Sequence, residues 1–269
     1  MLEKIGFIGC GNMATAIVNG IVSKGYIIPS DIIVYDIDLN KTNSLKENFN
    51  LSVAPDIPSL VKDSDVIFLC VKPQVIAEPL EQIKNFDLSN KVLVSIAAGV
   101  KISTINSYFN SDQKIIRVMP NLCLMYNEGA SALSAFNVGD EEFNFVFNIF
   151  NSLGKAIKVN EELLDTVTAL SGSGPAFVFK FVKELAKAGT NLGLEFEDAL
   201  SLAIQTIKGS AKVLEQSGKT ADELISMVSS KGGTTIAGLN ALDDQNFDLT
   251  VKAAVDAAHN RSKELSNLK

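Results

Sequence analysis

Six residues near the start of the chain, Gly9-Cys10-Gly11-Asn12-Met13-Ala14, read GxGxxA. The preceding KIGFIG (4–9) has the composition of a strand, and a helical pattern runs from Met13 to Ser23. Strand, glycine turn and helix in that order are what a dinucleotide fingerprint requires. Gly9 permits the tight turn, and Gly11 omits a side chain so that a pyrophosphate can reach amides at the helix N-terminus. Ala14 permits close helix–strand packing. A second strand candidate, DIIVYD (31–36), ends on Asp36, which is placed to bond the adenosine ribose. A carboxylate there repels a 2′-phosphate and so favours NADH over NADPH, with Lys41 as the nearest cation. A turn-capping role for Asp36 fits the sequence equally well. Val71-Lys72-Pro73 and Ala97-Ala98-Gly99 close two further strand candidates, at the carboxyl ends where such sheets bind ligands.

Two segments in the second half are rich in glycine and hydroxyls: Thr168 to Pro175 (TALSGSGP) and Ser229 to Leu239 (SSKGGTTIAGL). Both read as loops, and a helical pattern follows the second. Amides and hydroxyls at a helix N-terminus make an anion pocket, here uncharged unless Lys231 turns in. Such a pocket suits one carboxylate better than a polyphosphate, although ordinary helix caps use the same residues. Metal chemistry has little to stand on. The only histidine, His259, falls in a C-terminal helical pattern, and the cysteines at 10, 70 and 123 form no CxxC pair. Unpaired cysteines read as thiols in a reducing cytoplasm.

The elements that must position these residues change character near residue 160. Strand candidates at 4–9, 31–36, 65–71, 91–97 and 114–119 alternate with helical stretches, several of them apolar on both faces. That alternation predicts an α/β fold with a doubly wound parallel sheet of the Rossmann type. Beyond it come helical patterns at 175–192, 197–216, 220–228 and 248–268, with a capping box in Thr220-Ala221-Asp222-Glu223. The expected organisation is a dinucleotide-binding domain over 1–158 and an all-helical substrate-binding and dimerisation domain over 159–269. The stretch 167–182 is nearly uncharged, so it needs cover on all sides, which a homodimer would supply. Across 269 residues the net charge is −7, with 24 basic and 31 acidic side chains and no basic block. That balance argues against nucleic acid and anionic membrane surfaces as partners. The N-terminal stretch is interrupted by Glu3 and glycines and reads as part of the fold rather than as a signal peptide.

Six motifs in order, GFIGCGNMA (6–14), VKPQ (71–74), SIAAGV (95–100), IIRVMPN (115–121), SGSGPAF (171–177) and GGTTIAGL (232–239), resemble those of the pyrroline-5-carboxylate reductase family. The resemblance covers essentially the whole chain. It implies a Rossmann domain, a helical dimerisation domain and rings of dimers. It also implies hydride transfer from NADPH or NADH to the C=N bond of 1-pyrroline-5-carboxylate, giving L-proline, the last step of proline biosynthesis. Carried over, Ile8, Gly9, Cys10, Gly11, Asn12 and Met13, then Val71, Lys72 and Pro73, then Ile96, Ala97 and Ala98 would hold the cofactor. Thr168 would lie beside the imine nitrogen, and Ser230, Gly233, Thr234 and Thr235 would hold the substrate carboxylate. Lys231 departs from the proline common in the family: either the loop is more mobile, or the lysine adds attraction for the carboxylate. A β-hydroxyacid dehydrogenase would share the plan but needs an asparagine–lysine pairing that Lys180 and Lys183 lack in PAFVFKFVKE. A nucleotide-sensing protein without turnover is the alternative outside enzymes.

Overall fold

The computed structural model describes residues 2–267. Its strands form one eight-stranded sheet in the order β3-β2-β1-β4-β5-β6-β7-β8. The strands are β1 (Ile5–Ile8), β2 (Ile32–Tyr35), β3 (Ser52–Val53), β4 (Val66–Leu69), β5 (Val92–Ser95), β6 (Lys114–Met119), β7 (Gly129–Phe136) and β8 (Gly154–Lys158). From β3 to β6 all pairs are parallel; β7 runs antiparallel to β6, and β8 pairs parallel to β7. All five expected strands are present. The sequence reading passed over β3, β7 and β8. β3 is only two residues long, and β7 (GASALSAF) is built from small residues that carry little strand signal.

Helices cover both faces, as buried parallel strands require. One face packs Ile5, Phe7, Val66, Phe68, Val92 and Val94 against α1 (Asn12–Ser23), α2 (Leu39–Phe49) and later α6 (Asp140–Ser152). Phe7 stacks on Phe68 at 4.7 Å, and Phe150 of α6 sits 6.2 Å from Phe68. The other face packs Ile67, Leu69, Leu93 and Ile115 against α3 (Ile57–Lys62), α4 (Ala77–Ile83) and α5 (Ile102–Asn106). Successive strand residues alternate between the two layers, which fixes register, because a one-residue slip would exchange the layers.

After β8 come α7 (Leu164–Val167), a π-helical turn (Thr168–Gly172) and α8 (Gly174–Asn191). Next are α9 (Phe196–Gln216), α10 (Ala221–Val228), α11 (Thr234–Asp244) and α12 (Phe247–Asn267). The capping box at Thr220 and Glu223 is formed. The expected loop at 168–175 is instead helical: Ser173 N–H donates to Thr168 O at 2.8 Å, widening one turn rather than ending the helix. Compact packing divides the chain into Met1–Ser173 with Ala258–Lys269, and Gly174–Ala257. The division falls at 173/174 and 257/258 rather than at 158/159. The reason is that α7 and the π-turn pack on β7, while the end of α12 bonds to Asp165 of α7 and lies against the loop after β5.

The second unit is helical, with α8 packed along α9 and Phe181 6.3 Å from Phe247. The apolar stretch 167–182 was expected to be covered on all sides; within one chain it is not, since Phe177, Val178, Phe179 and Phe181 are exposed. A groove of about 690 Å³ lined by Val178, Phe179, Val182, Phe196, Leu200 and Ile204 runs between α8 and α9. No helix among the described residues is long and apolar enough to cross a membrane.

Gly154 opens β8 at φ +143°, and an added Cβ would be driven into the backbone of Gly129. Backbone cannot yield as a side chain can, so Gly154→Ala is expected to cost roughly 3 kcal/mol or more. Urea unfolding checks this; a loss below about 1 kcal/mol would refute it.

Candidate active site

The strand order reverses direction of travel between β1 and β4, which opens a crevice at the carboxyl ends of the parallel strands. Four turns end there: Gly9–Gly11 after β1, Cys70–Pro73 after β4, Ile96–Gly99 after β5 and Pro120–Asn121 after β6. Gly9 has φ +96°, and a Cβ on it would stand 2.9 Å from the Cys70 carbonyl. Its N–H donates to Tyr35 O at 2.8 Å. Only glycine combines that dihedral with that approach. Gly11 differs: a Cβ there would meet nothing within 4 Å. Gly11 is the N-cap of α1 and supplies no side-chain cap. The first amides of α1 therefore face open space, which fits a pyrophosphate.

Asp36 turns inward. Its Oδ2 accepts from Cys10 N–H at 2.7 Å and its Oδ1 from Asp38 N–H at 2.9 Å. Lys41 Nζ stands 3.8 Å from Asp36 and 3.9 Å from Asp38. The carboxylate thus clamps the glycine turn to the end of β2, and Lys41 is shared between two acids. Cys10 is buried, and burial, then the Asp36 charge, pushes its thiol up to about 12. After β5, Ala97 N–H donates to Ser95 Oγ at 3.3 Å and Val100 N–H to Ala97 O at 3.3 Å, with Gly99 at φ +76°. This turn leaves Ala98 exposed and Ile96 half-buried at the crevice. Val71 and Pro73 are half-buried and Lys72 is exposed.

The π-turn lies at the same edge. Asn121 Nδ2 donates to Ser171 O at 3.1 Å, and a Cβ on Gly172 would stand 2.6 Å from Met119 Cε. Thr168 is half-buried on this turn, and its hydroxyl donates to Leu164 O at 2.7 Å. The hydroxyl proton is therefore committed, and the oxygen keeps its lone pairs for an incoming donor. Asn121 is a site residue the sequence reading did not single out, although it ends the IIRVMPN motif. Its Oδ1 also accepts from Cys123 and Ala130 N–H, so both the oxygen and the nitrogen of the amide are engaged.

Ser230, Gly233, Thr234 and Thr235 belong to the second unit. Gly232 has φ +76°, Gly233 N–H donates to Ser230 O at 2.9 Å, and Gly233 is the N-cap of α11 without a side-chain cap. The Ser230 hydroxyl lies where a Cβ on Gly233 would be, 2.5 Å away. Ser230, Lys231, Thr234 and Thr235 are all exposed, forming a turn with open amides. Among the described residues no group of three or more His, Cys, Asp or Glu could hold a metal ion.

Residues 161–265 match the family profile described as pyrroline-5-carboxylate reductase dimerisation, and residues 4–99 that of NADP oxidoreductase, coenzyme F420-dependent. A pyrroline-5-carboxylate reductase of Arabidopsis thaliana is 40% identical over 98% of this chain and 95% of its own length. The chain belongs to the pyrroline-5-carboxylate reductase family. Of solved reductases of this family, that of Coxiella burnetii superposes with a TM-score of 0.94 at 33% identity, each chain covered in full. That of Plasmodium falciparum, with NADP bound, gives 0.88 at 34% identity over 98% of both chains.

In this member of the reductase family the space beside Gly11 is open, so Gly11→Ala leaves folding nearly unchanged. NADH affinity is expected to fall about 10–100-fold, or about 1.4–2.8 kcal/mol. The chain has no tryptophan, so nucleotide fluorescence reads binding directly. Unchanged affinity would show that the pyrophosphate does not approach Gly11.

Proposed function

We propose that this protein is an NAD(P)H-dependent reductase of 1-pyrroline-5-carboxylate, producing L-proline. Bound nicotinamide supplies the hydride. Ile8 to Met13 seat the pyrophosphate and ribose, Val71, Lys72 and Pro73 flank them, and Ile96, Ala97 and Ala98 let the nicotinamide half pass close to backbone. Ser230, Gly233, Thr234 and Thr235 grip the substrate carboxylate through hydroxyls and amides, with the exposed Lys231 adding attraction.

The observation that carries the reading is the fixed direction of the Thr168 hydroxyl. Because its proton goes to Leu164 O, its oxygen can only accept. A protonated cyclic imine offers an N–H donor, which matches. Hydride adds to the C=N carbon, the π pair returns to nitrogen, and the ring N–H stays in place, so no protein acid is needed. The chain contributes proximity, which is worth up to ~7–11 kcal/mol, and one orienting hydrogen bond.

Asp36 and Asp38, with Lys41 tied to both, disfavour a 2′-phosphate and favour NADH. The exposed apolar side chains of α8 and α9 and the dimerisation profile support a homodimer, and rings of such dimers extend it. Three free cysteines suit a cytoplasmic enzyme.

Thr168→Val keeps the shape and removes the acceptor. It is expected to lower kcat about tenfold, near the cost of one hydrogen bond to a charged group, with NADH affinity unchanged. Full turnover in that variant would remove Thr168 from the mechanism. With the two reduced cofactors compared side by side, kcat/KM should be at least about tenfold higher for NADH, one charge contact's worth. A preference for NADPH would overturn the role given to Asp36.

A further inference from the structure

The end of α12 touches both segments on which the proposed reaction depends. Asp165 Oδ1 accepts from Ser262 Oγ at 2.6 Å and from Ser266 Oγ at 3.0 Å. The two serines are four residues apart, so they share one face of the helix and converge on one oxygen. Ser262 is buried, where an unmade hydrogen bond would be costly. The same helical turn lies against the loop after β5. A Cβ on Gly99 would stand 3.4 Å from the Leu265 carbonyl carbon and from Ser266 N. Ser266 therefore meets Gly99 with its backbone and Asp165 with its side chain. Asp165 directly follows Leu164, the residue whose carbonyl orients Thr168. On the other side of α7, Glu161 Oε1 accepts from Ile102 N–H at 2.7 Å and from buried Arg117 at 3.0 Å. Ile102 lies three residues beyond Gly99, so the segment carrying Thr168 is tied twice to the loop that would seat the nicotinamide half.

We propose that Asp165, Ser262 and Ser266 are positioning residues that set the separation between the Ile96–Gly99 turn and Thr168. This rests on the reductase reading. A displacement near 1 Å far from the chemistry can cost ~100-fold in rate, so such a brace acts on kcat and not on ligand affinity. Its requirement is an acceptor oxygen at Asp165, not a charge.

The test compares wild type, Asp165→Ala, Asp165→Asn and Ser266→Ala in NADH oxidation with pyrroline-5-carboxylate, using normal NADH and NADH deuterated at nicotinamide C4. Asp165→Ala is expected to lose about tenfold or more in kcat, while both KM values stay within about twofold. Its primary isotope effect should rise, because hydride transfer becomes slower than product release. Asp165→Asn, which keeps an oxygen for both hydroxyls, should restore kcat to within about twofold of wild type. Ser266→Ala should fall between them; it leaves the buried Ser262 bond intact and carries the test if Asp165→Ala does not fold. Unchanged kcat and isotope effect in Asp165→Ala, or in Ser266→Ala where that variant stands in, would overturn the brace. So would a kcat loss in Asp165→Asn as large as in Asp165→Ala. Wild type that binds NADH but never oxidises it would instead overturn the reductase reading, and the brace with it.

Discussion

The crevice depends on one close approach: the backbone of Gly9 against that of Cys70, across the reversal between β1 and β4. A side chain at Gly9 would separate the two strand ends, and the amides at the start of α1 would no longer face the crevice. The Asp36 carboxylate holds this arrangement from the side by accepting from Cys10 N–H. A charge-assisted bond to a backbone amide is among the stronger hydrogen bonds a loop can make, and it leaves the turn ordered before any ligand arrives. The two core layers, packed on opposite faces of β1 and β4, hold the strand ends that carry those two backbones.

The hydroxyl of Thr168 shows a second kind of preparation. Widening of the helix at Thr168–Gly172 brings Ser171 O to Asn121 and lets Gly172 sit against Met119. The turn is thereby held to the carboxyl end of β6, and the local bond to Leu164 decides which way the hydroxyl points. The orientation of this hydroxyl is thus settled by a backbone carbonyl one helical turn away.

Much of this was legible in the residues. The five central strands, the glycine fingerprint and the helices of the second half announce themselves by composition and period. β7 did not, because small residues give weak strand preference and its position is fixed by pairing with β6. The π-turn did not either: TALSGSGP has the composition of a loop, and the long-range bond from Asn121 to Ser171 O that holds it is not visible in the local sequence. Asp36 was read as a ribose ligand or a turn cap. The structure has its carboxylate engaging two amides, a long-range bond to Cys10 N–H that no local spacing could reveal, and one to Asp38 N–H in its own turn.

Cys10 occupies the variable position of the fingerprint, where burial, and then the neighbouring Asp36 charge, push its thiol pKa up. Peroxides and electrophiles attack the thiolate rather than the thiol. A buried, protonated sulfur in the middle of the glycine turn therefore offers oxidants and electrophiles a poor nucleophile.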